Sequence, residues 1–288
     1  LHCPNQYYTG CVPTAIAQVM NYWKWPKVTQ GKLQDVNSGE FTGEDFSGRT
    51  YDWDNMLDNY GYDGNQTTYT PYNAVQSEAV ARLIADIGTA FHTMYGQPNG
   101  SPTYFRYEPL IYNFGYSDDI KEHTGKTAAE LISVMKADLE KNRPILYCGY
   151  PKTAGEDGHA LVCDGYTSND YFHFNYGWGG KADGFFKYAL VAGYENNAII
   201  FTGVEPVDAT LKIIGNIEYL LIKNGEAHVM RYVAGGVGAK NGEITIPATV
   251  VGDDGAEYKV TRICKNSFFN KGHFSKMVLG ENIEAIDY

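Results

Sequence analysis

The sequence predicts an α+β fold followed by a small, mostly β module. Three observations carry this: helical periodicity is confined to the first half, strands with Gly/Asp/Asn turns take over from Pro144, and the aromatic-rich texture ends near residues 203–209. Helices that come first and strands that follow argue against a doubly wound sheet.

The first helix is expected behind Cys11. Ile16, Val19, Met20 and Trp23 fall at i, i+3, i+4 and i+7, and the stripe stops before Pro26. Val80, Leu83, Ile84 and Ile87 repeat the spacing. Thr127-Ala-Ala-Glu130 reads as a capping box with Leu131, Met135 and Leu139 behind it. Strands are predicted over 145–148, 160–164, 171–176 and 184–188. In the tail, 213–223, 227–233, 243–251 and 256–263 read as short strands with Asn-Gly and Asp-Gly turns, and their spacing hints at one or two turns of a leucine-rich-type solenoid. The expected division is 1–206 and 207–288. The second part holds 9 Lys+Arg against 10 Asp+Glu, so most of the net charge of −11, and all four Trp, belong to the first.

With 288 residues and 43% apolar side chains the chain can bury a substantial core. It has 23 Lys+Arg against 34 Asp+Glu and no basic cluster, which makes nucleic acid a poor partner. Its apolar runs fall short of the roughly 20 residues of a spanning helix, so no membrane span is expected. The start, Leu1-His2-Cys3, lacks the basic and apolar regions of a signal peptide, and any leader or pro-segment is expected to be missing from it. Five Cys without close spacing make no disulfide framework. Cys148, Cys163 and Cys264 read as buried thiols, and Cys3 as free or paired outside the chain. The spacings match no zinc template and no phosphate loop, so neither metal nor cofactor is expected.

Cys11 follows Thr9-Gly10 at the start of the first predicted helix, where unpaired N–H groups and the helix dipole favour a thiolate and stand ready for an oxyanion. Pro13 suits a first turn that needs no N–H. A buried small residue opening a core helix explains Cys11 equally well. His159 enters a strand from a Gly/Asp loop. With a hairpin turn centred near 167, it would pair with Asn175, whose amide would orient the imidazole. A loop histidine bonded to backbone is the plainer reading. Asn175-Tyr176-Gly177-Trp178-Gly-Gly places aromatics and glycines where a cleft wall could form, or merely a bulged hairpin. Gln6, five residues before Cys11, could complete an oxyanion hole with the Cys11 amide, although a surface Gln needs no such role.

Together these residues resemble the streptopain family of secreted bacterial cysteine peptidases, distant relatives of papain. The words that carry it are Gln6-Tyr-Tyr-Thr-Gly-Cys11-Val-Pro-Thr-Ala-Ile-Ala-Gln18, Tyr51-Asp-Trp53-Asp-Asn-Met, Ala85-Asp-Ile-Gly88, Asn113-Phe-Gly-Tyr116, Gly158-His159-Ala-Leu-Val and Asn175-Tyr-Gly-Trp178-Gly-Gly. The resemblance runs from about residue 3 to 206. It implies a papain-like fold with Cys11 on a helical half and His159 on a β half, endopeptidase activity on proteins or peptides with a hydrophobic residue preferred one position before the residue at the cut, a pro-segment removed on maturation, and export to the medium or cell surface of a bacterium. It implies Cys11 as nucleophile, His159 as its acid–base partner, Gln6 at the oxyanion, and Asn175 and Trp178 around the imidazole. Ser101 in the loop 96–104, Gly158 and Tyr176 are expected along the substrate cleft. Two positions depart from the family: Tyr176 stands where Trp is usual, which leaves Asn175, Tyr176 and Trp178 all candidates to support the imidazole, and the step from Gln6 to Cys11 is one residue short. The tail resembles surface-protein repeats and is expected to meet a surface partner. Two rival functions share these residues: thiol acyl transfer on the same fold, and surface binding led by the tail.

Overall fold

A computed structural model describes residues 2–97, 100–151, 157–188, 193–235 and 240–287. Pro98 and Asn99 of the expected cleft loop, and Glu156 ahead of His159, lie outside the described residues. The chain divides into two compact units, 1–206 and 207–288.

In the first unit α1 (Cys11–Trp23) buries Val12, Ala15, Ile16, Ala17, Val19 and Met20. Lys24 closes it in the left-handed conformation, and Pro26 two residues on prevents its continuation. Trp23 and Trp25 pin this end by donating ring N–H groups to the carbonyls of Val204 and Gly115, at 3.0 and 2.9 Å. A small hairpin follows, β1 (Gly61–Tyr62) against β2 (Tyr69–Thr70). Then comes α2 (Ala74–Ala90), opened by a capping box between Asn73 and Gln76. Its buried face is Ala79, Leu83, Asp86, Ile87 and Ala90, with Val80 and Ile84 of the predicted stripe at the margin. After the short α3 (Glu108–Tyr112) and β3 (Lys121–His123), α4 (Ala128–Leu139) carries the Thr127–Glu130 box and buries Leu131 and Met135.

The remaining strands are β4 (Ile145–Tyr150), β5 (His159–Tyr166), β6 (Tyr171–Asn175), β7 (Gly184–Lys187) and β8 (Asn196–Thr202), in an antiparallel sheet of order β3-β8-β4-β5-β6-β7. Ile145, Tyr147, Leu161, Cys163, Phe172 and Phe174 pack on Leu131 and Met135 of α4. The two-residue strand period leaves Leu146, Cys148, Ala160 and Val162 for the other face, where α1 packs against β4 and β5. One half of the unit is therefore helical and the other a sheet, as an α+β fold requires.

Several words of the expected family pattern turn out to be braces. Asp86, buried on α2, is paired with the Arg49 guanidinium and accepts the Tyr51 hydroxyl at 3.0 Å. Burial and that carboxylate both push the Tyr51 phenol upward. Buried Asn113 donates its amide to the carbonyls of Gln30 and Lys32.

The second unit contains β9 (Ala209–Ile214), β10 (Ile217–Ile222), β11 (Glu226–Tyr232), β12 (Lys240–Ile246), β13 (Thr249–Val251), β14 (Glu257–Ile263), β15 (His273–Leu279) and β16 (Ala285–Ile286). Two strand expectations need correction. The run 213–223 folds back at Gly215, φ +62°, giving β9 and β10, and the run 243–251 breaks between β12 and β13 at Pro247, which has no N–H for a ladder. β11, β14 and β16 pair in parallel, as do β12 and β15.

Removing the Asp86 carboxylate leaves Arg49 and the Tyr51 hydroxyl without their shared acceptor. Asp86→Ala is expected to cost about 2–3 kcal/mol, read as a lower urea midpoint at unchanged slope; a loss under 0.5 kcal/mol would remove this brace from the account.

Candidate active site

Gly10 sets the approach to Cys11. Its φ is +89°, and a Cβ there would lie 2.7 Å from the Ser101 carbonyl, so only glycine can turn the chain into α1 at this place. Ser101 is buried and its hydroxyl donates to the carbonyl of Tyr8. Ser101 thus braces the strand of chain before Cys11, which corrects the expectation of an open substrate contact. Thr14 ties off the first turn by donating its hydroxyl to the Gly10 carbonyl at 2.8 Å.

The Cys11 thiol is surrounded by backbone donors. Burial raises its pKa; the N–H groups of Ala160, Cys11 and Val12 pull against that rise, and the Asp157 carboxylate adds to it, so the net direction is upward. The amides of the helix start act in the expected direction, and desolvation acts against them. Ala160 follows His159 directly, so the head of β5 and the first turn of α1 meet at the sulfur. Cys148, buried on β4 opposite Ala160, lies within electrostatic range of Cys11 and is pushed up to about 12 by burial and then by that neighbour.

His159 is buried, and its Nε2 lies 2.9 Å from the Tyr176 carbonyl oxygen. A carbonyl only accepts, so Nε2 carries the proton and Nδ1 of the neutral ring holds the free lone pair. The ring is boxed by Trp178, Tyr194 and Tyr176, with centroids at 4.7, 5.4 and 6.0 Å. Burial lowers the imidazole pKa, and the Tyr176 carbonyl works against that.

The expected pairing of His159 with Asn175 is corrected. The β5–β6 hairpin pairs Val162 with Asn175, because the turn is centred nearer 169 and a bulge interrupts β5 after Cys163; His159 pairs with Gly149 of β4 instead. His159 stands three residues from Val162, an odd step, and so is not on the face of Asn175. The Asn175 Oδ1 accepts from Gln18 Nε2 of α1 and from the Gly177 N–H, both at 2.9 Å. Asn175 consequently holds the turn that presents the Tyr176 carbonyl, and that carbonyl holds the imidazole. The Tyr176 N–H donates to Asp183 Oδ1 at 2.8 Å, so the N–H groups on both sides of the carbonyl are fixed. The Tyr176 ring is buried in the core, which corrects its placement along the cleft.

Trp178 is 42% exposed and covers the imidazole from solvent. Gly158 packs under Tyr150, where a Cβ would come within 2.7 Å of the ring. Gln6 is exposed on a single turn of 3-10 helix, Pro4–Gln6, and its side-chain amide makes no hydrogen bond to a described residue. Sequence reasoning did not assign Gln18, the Tyr176 carbonyl or the Ala160 N–H. Gln18 at i+7 from Cys11 was the one side-chain signal available, since that spacing returns it to the helix face of the nucleophile candidate.

With this geometry in place, the comparison with known proteins is direct. Residues 2–186 match the description of the Peptidase C10 family, and the chain belongs to that family. It is 33% identical to the active wild-type interpain A cysteine protease of Prevotella intermedia, with a TM-score of 0.57 over 68% of this chain and 83% of that one. It is also 32% identical over 190 residues to streptopain of Streptococcus pyogenes (62% of this chain, 45% of streptopain). To the thiol protease/hemagglutinin PrtT of Porphyromonas gingivalis it is 28% identical over 219 residues (70% of this chain, 24% of PrtT). The chain thus spans less than half the length of these two relatives. The α+β architecture of the first unit is the papain-like one of interpain A.

Asn175→Ala strands two donors, Gln18 Nε2 and the Gly177 N–H. It is expected to cost about 2 kcal/mol of stability and to lower kcat more than it raises KM, measured by urea melts and steady-state kinetics; an unchanged kcat would show that the turn keeps its geometry unaided.

Proposed function

We propose that the first unit is a cysteine endopeptidase domain whose nucleophile is Cys11 and whose acid–base partner is His159. The observation that carries this reading is the meeting of the Cys11 sulfur with the Ala160 N–H, next to an imidazole whose Nε2 proton is committed to the Tyr176 carbonyl. Nδ1 is then the nitrogen that can take the thiol proton. Each group alone prefers its neutral form, Cys11 raised and His159 lowered. Moving one proton between them leaves the buried site with no net charge, and the resulting thiolate and imidazolium stabilise each other.

The sulfur attacks the scissile carbonyl, forming the C–S bond, while the developing oxyanion is held by the backbone N–H of Cys11 with Gln6 as a second donor. His159 returns its proton to the leaving amine as the C–N bond breaks. Water, deprotonated by the same imidazole, then cleaves the thioester and restores the thiol. Gln6 lies on a turn exposed before substrate arrives, and its role requires the amide to swing onto the oxyanion. Gly158 lines the approach beside His159, and Trp178 shields the ring.

The substrates in this reading are proteins or peptides with a hydrophobic residue one position before the residue at the cut. The prointerpain A fragment, 30% identical with a TM-score of 0.54 over 68% of this chain and 63% of that one, supports maturation from a pro-form. Export to the outside or surface of a bacterium accords with the relatives, and no helix among the described residues is long and apolar enough to cross a membrane. We read 207–288 as a leucine-rich-type module for a surface partner. The parallel pairing of Arg262 with Ala285, an offset of 23 residues, supports this.

Cys11→Ala is expected to abolish cleavage of a casein or peptide substrate in the presence of reductant; residual activity above a hundredth of the parent would refute the assignment. His159→Ala removes the proton acceptor and leaves a thiol whose pKa burial holds above the ordinary value. The thiolate is then the minor form near pH 7. Iodoacetamide labelling of Cys11 in that variant should be at least tenfold slower than in the parent at pH 7 and rise about tenfold per pH unit, whereas the parent should show a shallower profile. Identical profiles in both proteins would separate His159 from the thiol.

A further inference from the structure

The hairpin β1–β2 is not used by the chemistry above, yet it is fastened to the loop that carries Trp178. The Gly64 N–H donates to the Gly179 carbonyl at 2.6 Å. A Cβ on Gly64 would run into the Trp178 carbonyl and the backbone of Lys181, and one on Gly179, whose φ is +64°, would lie 3.0 Å from the Gly64 nitrogen. Two backbones in such contact leave no room for a side chain at the junction.

The hairpin tip is equally tied down. The Asp63 carboxylate accepts the N–H and hydroxyl of Thr67, at 2.6 and 2.5 Å, and the Asp63 N–H donates to the Thr68 carbonyl at 2.8 Å. On this rigid support Tyr62 and Tyr69 stand directly opposite each other across the strands, ring centroids 4.9 Å apart, and they are 60% and 54% exposed. Tyr60 and Tyr72 pack edge to face with each other, centroids 5.5 Å apart. Tyr62 is two residues from Gly64, a span of about 7 Å at most. The tyrosine pair therefore stands within two residues of the point where the hairpin backbone meets the loop that carries Trp178.

We propose that Tyr62 and Tyr69 form a substrate subsite on the leaving-group side of the cut, one that selects polypeptides with a large apolar or aromatic residue about three residues past the scissile bond. This rests on the peptidase reading of Cys11 and His159. The side follows from the chemistry: His159 protonates the departing amine, Trp178 lies on His159, and the hairpin lies on the Trp178 loop, so the segment that leaves passes the tyrosines. Three extended residues at roughly 3.3 Å each reach about 10 Å past the bond, and the subsite is assigned to that reach. The occupant is a polypeptide because the hairpin is fastened to the Trp178 loop of the peptidase site. The tyrosine rings, held in advance by the locked tip, offer contact area with little ordering cost on binding.

The test uses the full chain, with parent and Tyr62→Ser/Tyr69→Ser compared on two substrates that share one acyl half. One carries an aminomethylcoumarin leaving group and the other a quenched pentapeptide with Phe at its third position. The expected result is a fall of fivefold or more in the ratio of kcat/KM for the peptide to that for the coumarin, with Tyr62→Phe/Tyr69→Phe restoring most of it. An unchanged ratio overturns the subsite. A second measurement needs no turnover: in the Cys11→Ala background, the pentapeptide alone should bind at least fivefold more weakly when both tyrosines are Ser, by fluorescence anisotropy. Equal binding overturns the inference, as would hairpin-dependent binding of an oligosaccharide with none of the peptide. Cleavage surviving in Cys11→Ala would instead defeat the peptidase reading, and the binding comparison would still judge the hairpin.

Discussion

The hydrogen bond from His159 Nε2 to the Tyr176 carbonyl is the constraint on which the site depends. It selects the tautomer and the orientation of the imidazole in one contact. The carbonyl is aimed because the N–H groups on either side of it are held by Asp183 and Asn175. Asn175 is in turn held by Gln18 of α1, the helix that Cys11 opens. One chain of hydrogen bonds thus runs from the helical half, through the turn after β6, to the imidazole, and the two halves of the site cannot drift apart without breaking it.

The electrostatics of the site follow from its dryness. Burial opposes charge on both the thiol and the imidazole, and backbone dipoles offset this only in part. A proton shifted inside such a pair creates two opposite charges in contact with each other instead of one charge against a low dielectric. The aromatic box of Trp178, Tyr176 and Tyr194 keeps water off the ring while leaving one exposed edge, that of Trp178, facing outward. The hairpin joined to the Trp178 loop carries two further exposed rings, Tyr62 and Tyr69.

Positions that look alike in a family pattern do different physical work here. Tyr51, Asp86 and Asn113 brace loops and helices against one another. Gly10 and Gly64 permit backbone approaches that no side chain would allow, one at the thiol and one at the hairpin junction.

Much of this was legible in the residues. The stripe before Pro26, the Thr127–Glu130 box and the Gly/Asp turns give α1, α4 and β4 to β7 by local periodicity, because each is specified by residues within a few positions of one another. Cys11 and His159 stood out for the same reason, one at a helix start and the other at a strand entry. The β5–β6 register was not legible, since a single bulge after Cys163 moves Asn175 from His159 to Val162. Nor was the partner of the imidazole, since a main-chain carbonyl carries no signature in sequence. The direction of the Cys11 pKa, the core position of Tyr176 and the bracing role of Ser101 were decided by burial, a property of the packed chain. Local sequence determined which elements form and which residues were candidates for the site; only tertiary packing decided which atoms face each other, because register and desolvation depend on contacts between segments up to more than a hundred residues apart.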